Sequence, residues 1–381
     1  MNSFPARQVL THLALLDGIG PVTSTTLFER LGDDLATIYD FSQADFMEQF
    51  DFSASRAKLL HDGLADFGPL ETELALLERH AISALTIADK EYPSLLRSIY
   101  APPPVIFFKG SPLTAHGPSL ALVGSRQANA YGKMVIDTFV PELVAHGLSI
   151  VSGGALGVDG IAHEACLSCK GSTVVVLGSG LLRPYPHAHK RLFENVCDQG
   201  GTLLSVFSQE TNALPGNFPA RNRIIAGLSW GCLVVQAASK SGALITARFA
   251  MDQGREVYAV PGRIDDPLSA GCHALLSQGA TPVHTSSDII RSLAHVPGLK
   301  VGELVATDPI KKMLSYKEEL PTQPQTVQER IVQACGQGGG SFDELLTSTG
   351  LDFTALQEHL LQLEMSGTVR QTFMGTWQVE R

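Results

Sequence analysis

The chain has no apolar run approaching the ~18–20 residues that span a bilayer, and it carries only 2 tryptophans. Charged side chains make up 17% of it, against roughly 25% in ordinary soluble domains. No membrane-spanning helix is therefore expected. The opening MNSFPARQVLTHLALL does not read as a secretory signal: His12 interrupts its apolar run, and Asp17 and Gly18 follow instead of a small-residue cleavage site. The six cysteines are scattered. Only Cys166 and Cys169 form a C-x-x-C, inside a helix-like stretch with no second pair, so metal binding is not expected. Unpaired thiols point to a reducing, cytoplasmic setting. A G-x-x-x-x-G-K-[ST] loop and a full G-x-G-x-x-G are both missing, which removes the usual signatures of ATP hydrolysis and dinucleotide binding. No cofactor is expected.

What is present divides along the chain. A length of 381 residues and 44% hydrophobic content suit two or three domains with a substantial core. The net charge of −10 is unpromising for a nucleic-acid binder, but it is unevenly placed. Residues 1–92 hold 6 basic and 15 acidic side chains, whereas residues 115–292 hold 13 and 12. The acid lies mostly at the ends, and the basic groups of the middle sit at glycine turns, where a local positive site can form.

Residues 1–90 read as short helices. VLTHLALLDGIGPVTSTTLFERLG has two helices around a Gly18–Gly20 turn, a helix-hairpin-helix or SAM-like pattern. Such a turn can grip a phosphate, but the acidic surroundings favour a packing module. Residues 91–114 are a lead-in connector, extended by Pro102–Pro104. From 119 to 292 the pattern is strand, glycine turn, helix, repeated: SLALVGSR, LSIVSGGALG, STVVVLGSG, GTLLSVF, CLVVQAA and EVYAVPG are the strands. Near-continuous β-branched runs alternating with helices predict an α/β, Rossmann-like, doubly wound and mainly parallel sheet. Residues 293–325, punctuated by prolines, read as a linker. Residues 326–381 read as three helices and a hairpin, a winged helix whose third helix carries Asp352, Glu358 and Glu364 and no Lys or Arg. That helix suits a protein contact better than a DNA groove.

In a doubly wound sheet, ligands bind beyond the carboxyl ends of the strands. Four turns are expected there: Gly124-Ser125-Arg126, Ser152-Gly153-Gly154, Gly178-Ser179-Gly180 and Lys240-Ser241-Gly242. Serine hydroxyls and open backbone N–H groups suit phosphate oxygens. The stretch FPARNRIIAG adds Arg221, Asn222 and Arg223 at a helix start, either a phosphate clamp or an arginine pair tied into structural salt bridges. For catalysis, Asp159 and His163 are the candidates. A helix-dipole role for the acid and a helix-face position for the imidazole explain them equally well, and no catalytic residue is assigned.

Taken together, YPSLLRSIYAPPPVIFFKG, ALVGSRQANAYG, IVSGGALGVDGIAHEACL, NFPARNRIIAGLS, KSGALITARFAMDQGREVYAVPG and SAGCHALLSQGA resemble, in order, the DNA-processing protein A (DprA/Smf) family over residues 90–285. The resemblance implies a non-enzymatic, homodimeric single-stranded DNA-binding protein. Such a protein protects incoming strands and loads the RecA recombinase in natural transformation. It implies DNA contacts by Arg126, Lys170, Arg221 and Arg223, with Lys240 nearby. Asn222 and Gly153 give supporting donors, and Gly124, Ser125 and Ser152 complete the expected DNA-binding set. An Arg221→Ala, Arg223→Ala double variant is expected to lose strand binding at nearly unchanged thermal stability. The sequence departs from the family in three places. Leu156 stands where the family has an arginine, Gln236 where it has a glutamate, and Gly271-Cys272-His273 where it has GCN. A nucleotide phosphoribohydrolase of the same fold is the alternative, although its P-G-G-x-G-T-x-x-E segment is absent.

Overall fold

Thr173–Val176 reads TVVV and is buried along its whole length, the signature of a strand covered on both faces. The computed structural model describes residues 5–301, 327–336, 340–372 and 375–379, and it places this segment in a nine-stranded sheet. The strands are β1 (Ser83–Thr86), β2 (Val105–Gly110), β3 (Ser119–Val123), β4 (Ser149–Ser152), β5 (Thr173–Val176), β6 (Thr202–Ser205), β7 (Gly231–Val234), β8 (Glu256–Ala259) and β9 (Thr281–Pro282). Their order is β1-β2-β6-β5-β4-β3-β7-β8-β9. From β6 across to β9 every pairing is parallel, while β2 runs antiparallel to both β6 and β1. The chain winds outward from β3 through β4 and β5 to β6, then returns to the other side of β3 as β7. That reversal opens a crevice at the carboxyl ends of β3 and β7.

The pleat sorts side chains to opposite faces. Leu120, Leu122, Ile150 and Leu233 share one core with Val135, Ile136, Val140 and Ala162, from the helices Ala130–Ala145 and Val158–Ser168. Ala121, Val123, Val151 and Val234 share the other with Ile224, Ala247 and Cys272, from the helices Asn217–Gly227, Gly242–Asp252 and Ala270–Ser277. The sheet is thus covered on both faces, as a doubly wound fold requires.

Among the described residues, five α-helices, Ala6–Leu15, Pro21–Leu31, Gln43–Phe50, Ala54–Leu64 and Gly68–Arg79, and the 3-10 helix Gly32–Asp40 precede it. The Gly18–Gly20 turn has Gly18 at φ +80° and Ile19 tucked inward. Val9, Leu13, Leu27 and Leu60 belong to the same core cluster as Leu96, Ile106 and Ile224, so the hairpin packs on the sheet unit. The helical reading ends at Arg79, because β1 is a strand of the main sheet. The expected linker also starts later than residue 293. Leu293 and Val296 are buried with Ile289 and Ile290, and the Lys300 N–H donates to the His146 carbonyl. The rest of that stretch, 302–325, lies outside the described residues.

The C-terminal unit has the helices Val327–Gly336, Phe342–Thr349 and Phe353–Met365 and a hairpin of β10 (Val369–Gln371) and β11 (Trp377–Val379). Ile331, Leu345, Leu356, Leu360 and Trp377 form its core. Ser341 and Glu344 cap the second helix reciprocally, and Asp352 caps the third, which is the helix–helix–helix–hairpin order of a winged helix.

Candidate nucleic-acid interface

The turn after β3 is held by its neighbour strand. The Ser125 N–H donates to the Gln236 carbonyl at 2.7 Å, and Ser125 Oγ accepts from the Gln127 N–H. Ser125 is buried, and Arg126 projects outward. Its guanidinium makes no hydrogen bond or ion pair among the described residues and lies 5.5 Å from the centroid of the Phe218 ring. Tyr185 stands 6.2 Å from Phe218, ring to ring, and is 44% exposed. Gly178 abuts Phe218, since a Cβ there would sit 3.0 Å from the ring. An open cation therefore lies beside two partly exposed aromatic rings at the carboxyl edge, next to the reversal in strand order.

Gln236 supports this turn from below. Its Nε2 donates to Asn129 Oδ1 at 2.8 Å while its Oε1 accepts from the Asn129 N–H. Asn129 Oδ1 in turn caps the helix Ala130–Ala145 by accepting from Tyr131 and Gly132. A carboxylate has no proton to donate, so this two-way contact suits the amide found here.

Arg221 does not stand beside Arg126 on the surface. It is 4% exposed, and its Nη1 donates to the Val176 carbonyl at 2.9 Å. Gly153 is what makes room for it: a Cβ there would lie 1.6 Å from Arg221 Nη1 and 2.8 Å from Asp159 Oδ2. Burial pushes the guanidinium down to about 10, partly opposed by the Asp159 carboxylate. Burial also raises the Asp159 pKa, with Arg221 pulling the other way. The two buried charges offset each other under the β4 turn through space, without a direct hydrogen bond between them. Ser152 lies beneath the same turn, its hydroxyl donating to the Leu122 carbonyl. His163 is fully enclosed. Its Nδ1 meets Thr173 Oγ1, its Nε2 has no partner, and burial pushes it down to about 3. Neither catalytic candidate faces solvent.

The remaining expected contacts divide. Asn222 Nδ2 reaches the Gly242 carbonyl at 3.4 Å, beside the turn that carries the exposed Lys240. Arg223 points away from Phe218. Its Nη1 donates to the carbonyls of Tyr100 and Ala101, each at 2.7 Å, fixing the lead-in where Ala101 has φ +51°. Lys170 follows the helix Val158–Ser168 and precedes β5, which places it at the amino-terminal edge of the sheet, opposite Arg126. Gly124, Ser125, Arg126, Ser152, Gly153, Arg221, Asn222 and Lys240 share the carboxyl edge; Lys170 lies at the opposite edge, and the Arg223 guanidinium is taken up by the lead-in to β2.

Residues 83–294 match the family described as DNA recombination-mediator protein A, and residues 317–372 match the DprA winged helix domain. The chain belongs to the DprA family. It is 41% identical over 240 residues to the DNA processing protein DprA of Bacillus subtilis, covering 62% of this chain and 80% of that one. It is 42% identical over 224 residues to the protein Smf of Escherichia coli, covering 59% and 60%. Among solved structures it is similar to DprA of Streptococcus pneumoniae, with TM-score 0.57 and 33% identity over 72% of this chain and 98% of that one. It is also similar to DNA processing protein A of Helicobacter pylori, described for its single-stranded DNA binding mode, with TM-score 0.50 and 30% identity over 56% and 96%.

Within the DprA-type sheet unit, one segment was missed by sequence reasoning. LLRPYPHAHKR, 181–191, leads from β5 to the helix Lys190–Asp198 on the same edge as Arg126 and carries Arg183, His187, His189, Lys190 and Arg191. His187 lies 6.1 Å from Tyr185, ring to ring. His189 Nδ1 meets the Gly154 carbonyl at 2.8 Å, tying the segment to the β4 turn. Its signal in the sequence was the density of basic side chains directly after a glycine turn.

Proposed function

We propose that this chain is a single-stranded DNA-binding recombination mediator. On this reading it protects incoming strands and loads the RecA recombinase onto them during natural transformation, as a cytoplasmic homodimer and without catalysis. The observation that carries the reading is the exposed Arg126 guanidinium beside Phe218 and Tyr185. A cation at a phosphate and aromatic rings at the bases form the mode that tolerates any sequence. Lys240 and the 181–191 segment extend the basic track on both sides. The single-stranded DNA binding mode described for the H. pylori relative supports strand binding by this chain. Among the described residues no helix is long and apolar enough to cross a membrane, and no group of three metal-ligating side chains occurs.

A phosphoribohydrolase would need a carboxylate or imidazole open to its substrate; neither Asp159 nor His163 supplies it, since both are enclosed, and His187 is the exposed imidazole of this edge. The test is fluorescence anisotropy with labelled poly-dT and the matching duplex at several salt concentrations. Salt-sensitive binding to the single strand, with weak binding to the duplex, is expected. No binding at low salt overturns the reading.

A further inference from the structure

Glu73 belongs to the acidic helical module, yet it is 4% exposed and makes no ion pair among the described residues. It sits on the helix Gly68–Arg79, whose Leu74 and Leu77 pack with Leu177, Leu181 and Leu182 behind the β5 turn. From there the carboxylate reaches into the loop after β6. Its Oε1 accepts from the Gln209 backbone N–H at 3.1 Å and from Gln209 Nε2 at 3.2 Å. Gln209 is fully buried. Burial raises the Glu73 pKa, and the two Gln209 donors pull the other way.

That loop is stitched to the turn carrying the aromatic edge. The Gln209 carbonyl accepts from the Leu182 N–H at 3.0 Å, and the Thr211 carbonyl accepts from the Gly180 N–H at 2.9 Å. Ser205 Oγ donates to the Ser179 carbonyl at 2.7 Å. At Gly180 a Cβ would strike the Ser208 and Gln209 carbonyls at 2.2 Å, so the two loops are in direct backbone contact. One loop runs on to Tyr185, the other to Phe218. Without Glu73, the Gln209 N–H at their junction is buried with no acceptor, a condition that drives local rearrangement.

We infer that Glu73 is a positioning residue through which the helical module sets the Tyr185–Phe218 platform, and so the base-contacting half of strand binding. The inference rests on the strand-binding reading above. It separates two parts of the affinity: the phosphate contacts of Arg126, on the turn after β3, and of Lys240, on the turn after β7, do not pass through Glu73; the stacking part does. Gln209 Oε1 has no partner, which predicts how a rescue works. In Glu73→Gln the new carbonyl accepts the Gln209 N–H, and the new amide donates to Gln209 Oε1 once that side chain flips.

The experiment compares full-length wild type, Glu73→Ala and Glu73→Gln, binding oligo-dT and an abasic strand of equal length across a salt series. For wild type the preference for dT over the abasic strand is expected at roughly 5- to 150-fold, the scale of one stacked base. Glu73→Ala is expected to bring this preference to within about twofold while leaving the salt slope unchanged, and Glu73→Gln to restore it. A role in stability alone would lower the melting temperature of Glu73→Ala and keep the wild-type preference, and that outcome overturns the inference. So does a preference lost equally in both variants. Hydrogen exchange at the Gln209 amide of the DNA-free protein separates this from the reading it rests on. Faster exchange in Glu73→Ala supports the lock even if no variant binds DNA, and unchanged exchange refutes it.

Discussion

Arg221→Ala and Arg126→Ala separate a buried brace from an open contact, although both remove one guanidinium from the same edge. Truncating Arg221 leaves the buried Val176 carbonyl without its 2.9 Å donor, at about 1–3 kcal/mol. It also strips Asp159 of the positive charge that offsets its burial. Removing one partner of a contacting buried ion pair costs about 3–5 kcal/mol. Here the carboxylate can take up a proton and the arginine's own burial cost disappears, so we expect a net loss of about 2–4 kcal/mol. For a unit of this size that is a fall in melting temperature of about 4–8 °C, using ~2 °C per kcal/mol. Arg126→Ala removes an exposed side chain with no polar partner, and stability is expected to stay within about 0.5 kcal/mol. Its effect appears in anisotropy titrations, where the log–log salt slope is expected to shrink by about 0.7, the value of one phosphate contact on a single strand. The assay is therefore a thermal melt and a salt series on each variant. An Arg221→Ala protein that melts like wild type and has lost strand binding would show that Arg221 is a surface clamp, and the burial argument would be wrong. The same reasoning withdraws the expectation that the Arg221, Arg223 double variant keeps its stability, since Arg223 also holds two backbone carbonyls.

Acidification is expected to destabilise the fold through histidines kept neutral in it. His163 is pushed down to about 3 and His116 to about 4, so the unfolded chain binds their protons first as pH falls below about 6.5. Stability is present above that value and declines toward pH 4, at about 1.4 kcal/mol per pH unit per group. Urea unfolding at pH 7 and pH 5 reads this, and a His163→Gln variant whose pH dependence matches wild type counts against it. Gly153→Ala is expected to displace the Arg221 guanidinium and cost about 1–3 kcal/mol as overpacking; an unchanged urea midpoint would mean the space is there. Gln236→Glu replaces the donor facing Asn129 Oδ1 with a second acceptor, at an expected cost of about 1–3 kcal/mol, and equal stability at pH 7 would contradict the assignment of that contact.

Much of this was readable from the chain because periodicity reports burial directly. TVVV and SLALV declare strands covered on both faces, and the glycine turns after them mark the carboxyl edge. β1 was not readable: SALT is four residues long, lies at the sheet's edge and continues directly from a run of helices. The burial of Arg221 was available and overlooked. Phe218, Arg221, Ile224 and Ile225 recur at helical spacing, so the arginine lies on the apolar face, whereas Arg223 falls on a different one. Lys170 could also have been placed, because a residue between a helix and the next parallel strand belongs to the amino-terminal edge. Glu73 could not. Nothing local distinguishes it from the other acids of its module, and its partner is 136 residues away.

The antiparallel edge has a consequence for biosynthesis. β2 has two neighbours, β1 directly before it and β6 roughly ninety residues later. At ~5–20 residues per second, a ribosome takes roughly 5–20 s to deliver the second. Through that interval a hydrophobic hairpin waits with one side of its backbone unpaired, the arrangement that recruits wrong partners. The nascent chain is most exposed to mispairing before β6 emerges, and a holding chaperone that acts on this protein has its window there.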